Sequence, residues 1–148
     1  MRVNEAMTRD PRIARPDQTI QDVARVMLEI DAGVMPVGDH DRLVGMITDR
    51  DIAVRAIAEG KGPQTPVREV MTSEVRFCFE DEDCDHVAHE MGDLKVRRLP
   101  VLNREMRLVG ILSLGDIAST EGSRPAGEAL CDISRPGGQH SQMSEMLH

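Results

Sequence analysis

Among its 148 residues the chain has no tryptophan, no tyrosine and two phenylalanines, Phe77 and Phe79. Aromatic stacking platforms are therefore nearly absent, and a planar base would have to lie between aliphatic side chains and backbone. The three cysteines, Cys78, Cys84 and Cys131, make neither an even disulfide set nor a Cys-x-x-Cys pair. No apolar run approaches the roughly 18 residues needed to span a bilayer. The opening Met-Arg-Val-Asn-Glu-Ala-Met lacks the apolar centre of a secretory signal, so a cytoplasmic protein is expected. Basic residues are also in deficit, 18 Lys and Arg against 26 Asp and Glu, giving a net charge of −8 and a pI near 5.1. That balance argues against a general nucleic-acid binder, whose affinity comes mainly from neutralising phosphates. A basic amphipathic helix is missing, so no membrane partner is expected. No nucleophile and base stand in a readable arrangement, so no enzyme is expected.

What is present is a repeat. Met7-Thr8 recurs as Met71-Thr72 and Pro36-Val37 as Pro100-Val101, both 64 residues on, and Arg42-Leu43-Val44-Gly45 recurs as Arg107-Leu108-Val109-Gly110, 65 residues on. One residue inserted between Val101 and Arg107 accounts for the change, so the chain holds two copies of one unit.

In the first copy Val3 to Met7 is a short helical turn, followed by an extended piece around Arg12 to Ala14. Thr19 is placed as an N-cap with Asp22 three residues on, and Ile20, Val23, Ala24, Met27 and Leu28 form an apolar stripe at helical spacing. Val34 to Val37 and Leu43 to Thr48 read as a hairpin around Gly38-Asp39-His40-Asp41, and a helix runs from Asp49 to about Glu59. The second copy repeats the order: a turn over Val67 to Met71, a strand over Val75 to Phe79, and Asp83 as N-cap. Its helical stripe is Val87, Ala88, Met91 and Leu94; a hairpin of Leu99 to Leu102 with Leu108 to Ser113 and a helix opening at Asp116 complete it. Each copy is thus a βαββα unit of about 60 residues, marginal on its own. The fold class is α/β, with the two sheets expected to pack about a pseudo-twofold axis and share a core. The expected domains are residues 1–60 and 67–120, joined by a linker at 61–66. The extension 121–148 is read as largely flexible, with a short helix opening near Pro125, reaching Ile133, and a mobile tail from Gln139.

Within the repeat, Gly45-Met-Ile-Thr-Asp-Arg-Asp-Ile52 matches Gly110-Ile-Leu-Ser-Leu-Gly-Asp-Ile117. Each is a strand running into a helix N-terminus, with a hydroxyl (Thr48, Ser113) at the junction and a carboxylate (Asp51, Asp116) in the first turn. Two readings are open. The pair can cap the helix and complement its dipole. Alternatively the helix end and hydroxyl suit a phosphate, while an ionised carboxylate accepts both hydrogens of a ribose diol.

Two tandem units, each with a Pro-Val strand and a Gly-h-h-[Ser/Thr]-x-x-Asp junction, resemble a cystathionine-β-synthase (CBS) domain pair, also called a Bateman module. Over residues 1 to about 120 the chain is similar to small stand-alone bacterial CBS-pair proteins of the hypoxic-response type. The resemblance implies a regulatory protein that binds an adenosine-containing ligand (AMP, ADP, ATP, NAD(H) or S-adenosylmethionine) in clefts between the units, forms a homodimer and signals to an effector protein. It implies Thr48 and Ser113 at the phosphate or ribose side and Asp51 and Asp116 on the diol. It also implies an adenine slot walled by Val34, Met35, Pro36, Leu99 and Pro100, with Ile13 and Phe77 at the first strands. The alternative of another class is a dimerisation module whose clefts are vestigial.

Arg97 and Arg98 match the basic position that many of these domains carry before a Leu-Pro-Val strand. From Lys95 to Arg107 there are five basic residues against Glu105, while Glu80 to Asp93 carries seven acids and no Lys or Arg. A basic cluster in an acidic protein suits selective phosphate capture; pairing of Arg97 and Arg98 with those acids is the alternative. In the first copy their places are taken by Gly33 and Val34, so two equivalent sites are not expected. Cys78, Cys84, His86 and His89 suggest metal ligands, but Cys78 aligns with Ala14 and Cys84 with Ile20. Buried thiols explain them, and no metal site is expected.

Overall fold

Residues 1–121 and 123–135 are described by a computed structural model, in which the leading segment of each repeat completes the sheet of the other. In chain order the elements are α1 (Val3–Ala6), β1 (Thr8–Arg9), α2 (Ile20–Ile30), β2 (Val34–Asp39), β3 (Arg42–Thr48) and α3 (Asp49–Asp51), which runs on as a π-helix over Ile52–Ile57. A 3₁₀ turn at Val67–Glu69 precedes β4 (Cys78–Phe79), α4 (Cys84–Leu94), β5 (Arg98–Leu102), β6 (Leu108–Ser113), α5 (Leu114–Glu121) and α6 (Ser123–Ser134). Pro11–Arg76 with Met106–Leu108 make an N-terminal unit. Met1–Asp10, Phe77–Glu105 and the described residues from Val109 on make a C-terminal unit.

In the N-terminal unit β2 and β3 pair antiparallel, Val34 opposite Thr48 and Met35 opposite Ile47. β2 runs two residues and β3 one residue further into the turn than the sequence suggested, past a bulge at Val37/Gly38. His40 and Asp41 close the hairpin with φ of 51° and 66°, the left-handed pair that matches the twist of the flanking strands. Helix α2 starts at Thr19, whose Oγ1 accepts from Asp22 N at 3.1 Å, and ends in a left-handed Asp31. Ile20, Val23 and Met27 are buried, but Ala24 and Leu28 are not, Leu28 being 83% exposed. The burying stripe is therefore narrower than the apolar pattern. The 3₁₀ turn docks through Val67 N to Gln18 O (2.8 Å) and Arg68 N to Pro16 O (3.0 Å).

The C-terminal unit is built the same way. Its four-stranded sheet runs β1-β6-β5-β4, with β1 antiparallel to β6 and β4 parallel to β5. α1 docks through Val3 N to Glu82 O and Asn4 N to Glu80 O, both 2.9 Å, the counterparts of the Val67 and Arg68 bonds. The first strand is two residues, Cys78–Phe79, in place of the expected Val75–Phe79. The rest of that apolar stretch has no ladder partner, and Phe77 is 37% exposed. Asp83 occupies the N-cap position of α4, yet its carboxylate faces the chain's amino terminus at 3.5 Å and caps nothing.

Each unit has its own cluster of buried residues. One contains Ala14, Ile20, Val23, Met27, Met35, Val37, Ile47, Ala56, Val67 and Val70; the other contains Val3, Met7, Cys78, Cys84, Val87, Ala88, Met91, Leu99, Val101, Leu112, Ile117 and Ala126. Each unit closes on itself because it has borrowed the other repeat's leading residues.

Helix α6 meets the short helix expected from Pro125 to Ile133, opening two residues earlier and closing one later. It packs on α4 and α5, and Ala126 and Ala129 are buried. Small residues permit the close approach: a Cβ on Gly92 would lie 3.2 Å from Ala129 Cα. Lys95 Nζ then donates to Asp132 O (3.1 Å) and Arg135 O (3.4 Å), satisfying carbonyls at the end of α6. The expected tail from Gln139 lies outside the described residues.

Burial first, then the carboxylates of Glu82 and Glu90, push the Cys78 thiol from its ordinary value near 9 up to about 12. Cys84 is also buried, and Cys131 is exposed. A disulfide thiol reagent at pH 8 should therefore modify one thiol per folded chain promptly and the other two only in denaturant. Because the folded state keeps a proton that the unfolded state loses, Cys78 contributes stability that is lost as pH rises from about 9 towards 12. A Cys78→Ala variant should show a smaller fall in its urea midpoint over that range.

A Cβ on Gly110 would meet Met7 Sδ at 2.6 Å and Thr8 O at 2.8 Å; on Gly45 it would meet Met71 Sδ at 2.7 Å and Thr72 O at 2.8 Å. Gly110→Ala and Gly45→Ala should each lower stability by about 1 to 3 kcal/mol in urea titrations. Gly127→Ala is the control: it lies within α6 with nothing within 4 Å of the added carbon, and should raise stability by about 1 kcal/mol.

Candidate functional site

Each unit carries one strand-to-helix junction. In the N-terminal unit Gly33 O accepts from Asp49 N at 2.9 Å, which ties the start of α3 to the strand beside it. Thr48 is extended (φ −118°, ψ 162°); its Oγ1 accepts from Asp51 N at 3.0 Å, and Asp51 Oδ2 accepts from Thr48 N at 3.0 Å. This reciprocal pair satisfies two backbone donors that the helix start would leave open. The second carboxylate oxygen, Oδ1, faces Arg55 Nε at 3.7 Å, and Arg55 also donates from one terminal nitrogen to Met71 O (3.3 Å) and Val70 O (3.4 Å). Both oxygens of Asp51 are thus engaged within the unit.

The C-terminal unit repeats the cap. Ser113 Oγ accepts from Asp116 N at 3.0 Å, Asp116 Oδ2 accepts from Ser113 N at 2.9 Å, and Arg97 O accepts from Leu114 N at 3.0 Å. One turn on, the place of Arg55 is taken by Thr120, whose hydroxyl turns back to Asp116 O at 2.9 Å. Asp116 Oδ1 has no partner among the described residues. Asp116 and Ser113 are both half-buried, so the carboxylate is held in place by its backbone bond while one oxygen can accept hydrogens.

The Leu114-to-Arg97 bond sets Arg97 and Arg98 at the end of β5 beside this junction. Both are exposed, and neither pairs with a carboxylate among the described residues. The acidic stretch is matched instead by Arg104, which grips Asp81 with two bonds of 2.8 and 2.9 Å. That hydrogen bond holds the Asp81 carboxyl below its usual range and raises Arg104. Arg104 Cζ also sits 4.0 Å over the Phe79 ring, against whose edge Phe77 packs at 5.5 Å between centroids.

Strand alternation sorts the other candidate residues. Met35 and Leu99 are each 2% exposed and belong to the two cores, so their side chains are not free to wall a slot. Val34 and Pro36, and likewise Arg98 and Pro100, lie on the opposite faces of β2 and β5. Ile13 is half-buried against Gly38, where an added Cβ would come within 2.9 Å of its Cγ2. The structure thus gathers Ser113, Asp116, Arg97, Arg98, Pro100 and Phe77 into the C-terminal unit, and Thr48, Asp51, Val34, Pro36 and Ile13 into the N-terminal one.

Sequence reasoning passed over Arg55, although aligning the repeats sets it against Thr120 four residues beyond the carboxylates. It also weighed His86 with the wrong companions. Ligand atoms of Glu82, His86 and Glu90 lie within 4.8 Å of one another at i, i+4, i+8 spacing, whereas His89 faces Asp93 at 3.6 Å. No helix among the described residues is long and apolar enough to cross a membrane.

Comparison with known proteins fits this geometry. The CBS domain-containing protein YhcV of Bacillus subtilis (strain 168) is 40% identical over 133 residues, 89% of this chain and 94% of that one. Among solved structures, Hypoxic Response Protein I with two coordinated zinc ions superposes with a TM-score of 0.74 at 32% identity, covering 81% of this chain and 98% of that one. The CBS domain pair of protein MJ0100 in complex with 5′-methylthioadenosine and S-adenosyl-L-methionine gives 0.73 at 31% identity, covering 84% and 98%. The CBS domain itself matches twice, over residues 3–57 and 67–121. With an α/β fold, a duplicated junction and two such matches, the chain belongs to the CBS domain family and carries two copies in tandem.

Proposed function

We propose that this CBS pair is a non-enzymatic regulatory protein that binds an adenosine-containing ligand and passes its occupancy to an effector protein through a conformational change. The observation that carries the reading is Asp116 Oδ1, which has no partner among the described residues, on a carboxylate fixed by its own backbone bond beside Arg97 and Arg98, which pair with no carboxylate among them. An acceptor-only oxygen takes hydrogens from a ribose diol, and the two guanidiniums hold a phosphate. The Ser113 hydroxyl, which accepts from Asp116 N, still has its own hydrogen to give. Phe77, 37% exposed, supplies apolar surface for a base, whereas Pro100 is buried. The methylthioadenosine and S-adenosylmethionine bound by the MJ0100 domain pair support the ligand class. A ligand shifts the protein only through different affinity for its two states.

The protein is further proposed to act as a homodimer. Leu28 is 83% exposed on α2 and Ile57 62% exposed on the π-helix. In the other repeat the position equivalent to Leu28 is Gly92, which α6 covers. Leu28→Glu should convert a dimer to a monomer in sedimentation; an unchanged mass would place the contact elsewhere.

Calorimetric titration with AMP, ADP, ATP, NADH and S-adenosylmethionine tests the ligand reading. At least one should bind below millimolar concentration, and Asp116→Ala should weaken it by about 1.5 to 3 kcal/mol, the scale of a charge-assisted hydrogen bond. Arg98→Ala should weaken ATP more than adenosine. Binding by none of the five would leave a dimerisation module as the function.

A further inference from the structure

The two junctions share their backbone geometry and differ in what faces the second carboxylate oxygen. At Asp51 that place is filled from within the chain. Arg55 Nε stands 3.7 Å from Oδ1, and the same guanidinium is anchored at its other end by the carbonyls of Val70 and Met71. Those carbonyls belong to the segment that docks on β3, where Thr72 and Met46 exchange two bonds of 2.8 and 2.9 Å. Arg55 is therefore tied to a fixed part of the fold at one end and to Asp51 at the other. A diol approaching Asp51 would have to share its second oxygen with a guanidinium that already stands 3.7 Å away and is held there by two backbone carbonyls. The strand beside this junction offers nothing in return, because Gly33 and Val34 stand where the other repeat has Arg97 and Arg98. At Asp116 the equivalent of Arg55 is Thr120, whose hydroxyl is satisfied by backbone carbonyls, and the carboxylate oxygen stays open.

We infer that Arg55 is an internal occupant of the Asp51 junction and a specificity-determining residue, so that the chain binds one adenosine-type ligand, at Asp116, and not two. This rests on the ligand reading above and says which of the two matching junctions performs it.

The test is the stoichiometry of the full chain, measured by calorimetry with AMP and with S-adenosylmethionine as probes. The wild type should bind one per chain. Asp51→Asn should leave affinity within twofold, while Asp116→Asn should weaken it at least tenfold. Arg55→Thr, which gives the first junction the residue of the second, should raise the stoichiometry towards two, and adding Asp51→Asn should return it to one. Arg55→Gln, able to keep hydrogen bonds to the Val70 and Met71 carbonyls without the charge, serves the same purpose if Arg55→Thr fails to fold by circular dichroism. Two ligands per wild-type chain, or a loss of affinity on removing Arg55, would overturn the inference and leave the ligand reading standing. No binding by either probe to any variant would overturn both.

Discussion

The structure depends on a close approach of two backbones, made twice. Gly110 of the second repeat lies against Met7-Thr8 of the first, and Gly45 of the first lies against Met71-Thr72 of the second. In each case a side-chain carbon would come within 2.8 Å of a threonine carbonyl, so only glycine lets the leading segment reach the strand. The gain is the completion of a sheet and the burial of Val3 or Val67 and Met7 or Val70 in a core that a single repeat could not fill. A unit of about 60 residues buries only about 60% of its surface and is marginal alone. By exchanging their first ten or so residues, the two repeats make each unit depend on the synthesis of both.

This explains why the repeat was legible while its packing was not. Met-Thr, Pro-Val and Arg-Leu-Val-Gly recur because the same contacts are made in both units, so the strands, the hairpins and helices α2 and α4 follow from periodicity and turn residues. Nothing local says that Met7-Thr8 sits on Gly110 rather than on Gly45. The apolar stripes were read too wide at Ala24 and Leu28, because periodicity reports the apolar face of a helix and not how much of it something covers. The stretch Val75 to Phe79 has strand composition, but a strand exists only where a partner strand lies, and only Cys78 and Phe79 have one in β5. Helix α6 is legible from Pro125 to Ile133, close to its observed extent, while its packing on the unit is not. Its Gly, Pro and Ser content argues against a stable helix in isolation, and packing of Ala126 and Ala129 on α4 overrides that propensity.

At the candidate site the two readings of the hydroxyl and carboxylate turn out not to compete. Thr48 with Asp51 and Ser113 with Asp116 do cap their helices, each with two reciprocal bonds of about 3 Å. The cap consumes one carboxylate oxygen and fixes the rotamer, which presents the other oxygen in a set direction before any ligand arrives. Ordering that side chain is then part of folding and not a cost of binding. A residue pattern shared by a structural motif and a binding motif cannot be assigned from the pattern, because the same bonds serve both.

What decides the outcome lies outside the motif. Asp51 and Asp116 each follow a hydroxyl residue by three positions and make the same backbone bonds, yet one faces a guanidinium across 3.7 Å and the other faces none among the described residues. The difference comes from a single residue one turn further along the helix, Arg55 against Thr120, and from the pair Gly33-Val34 against Arg97-Arg98 on the adjacent strand. Asp51 is 16% exposed and Arg55 52%, so solvent screens the pair on the arginine side and the contact holds mainly by the anchoring of Arg55 to the Val70 and Met71 carbonyls. Duplication therefore conserved the scaffold that positions a carboxylate, while divergence at three positions around it set whether the second oxygen answers to the protein or to a ligand.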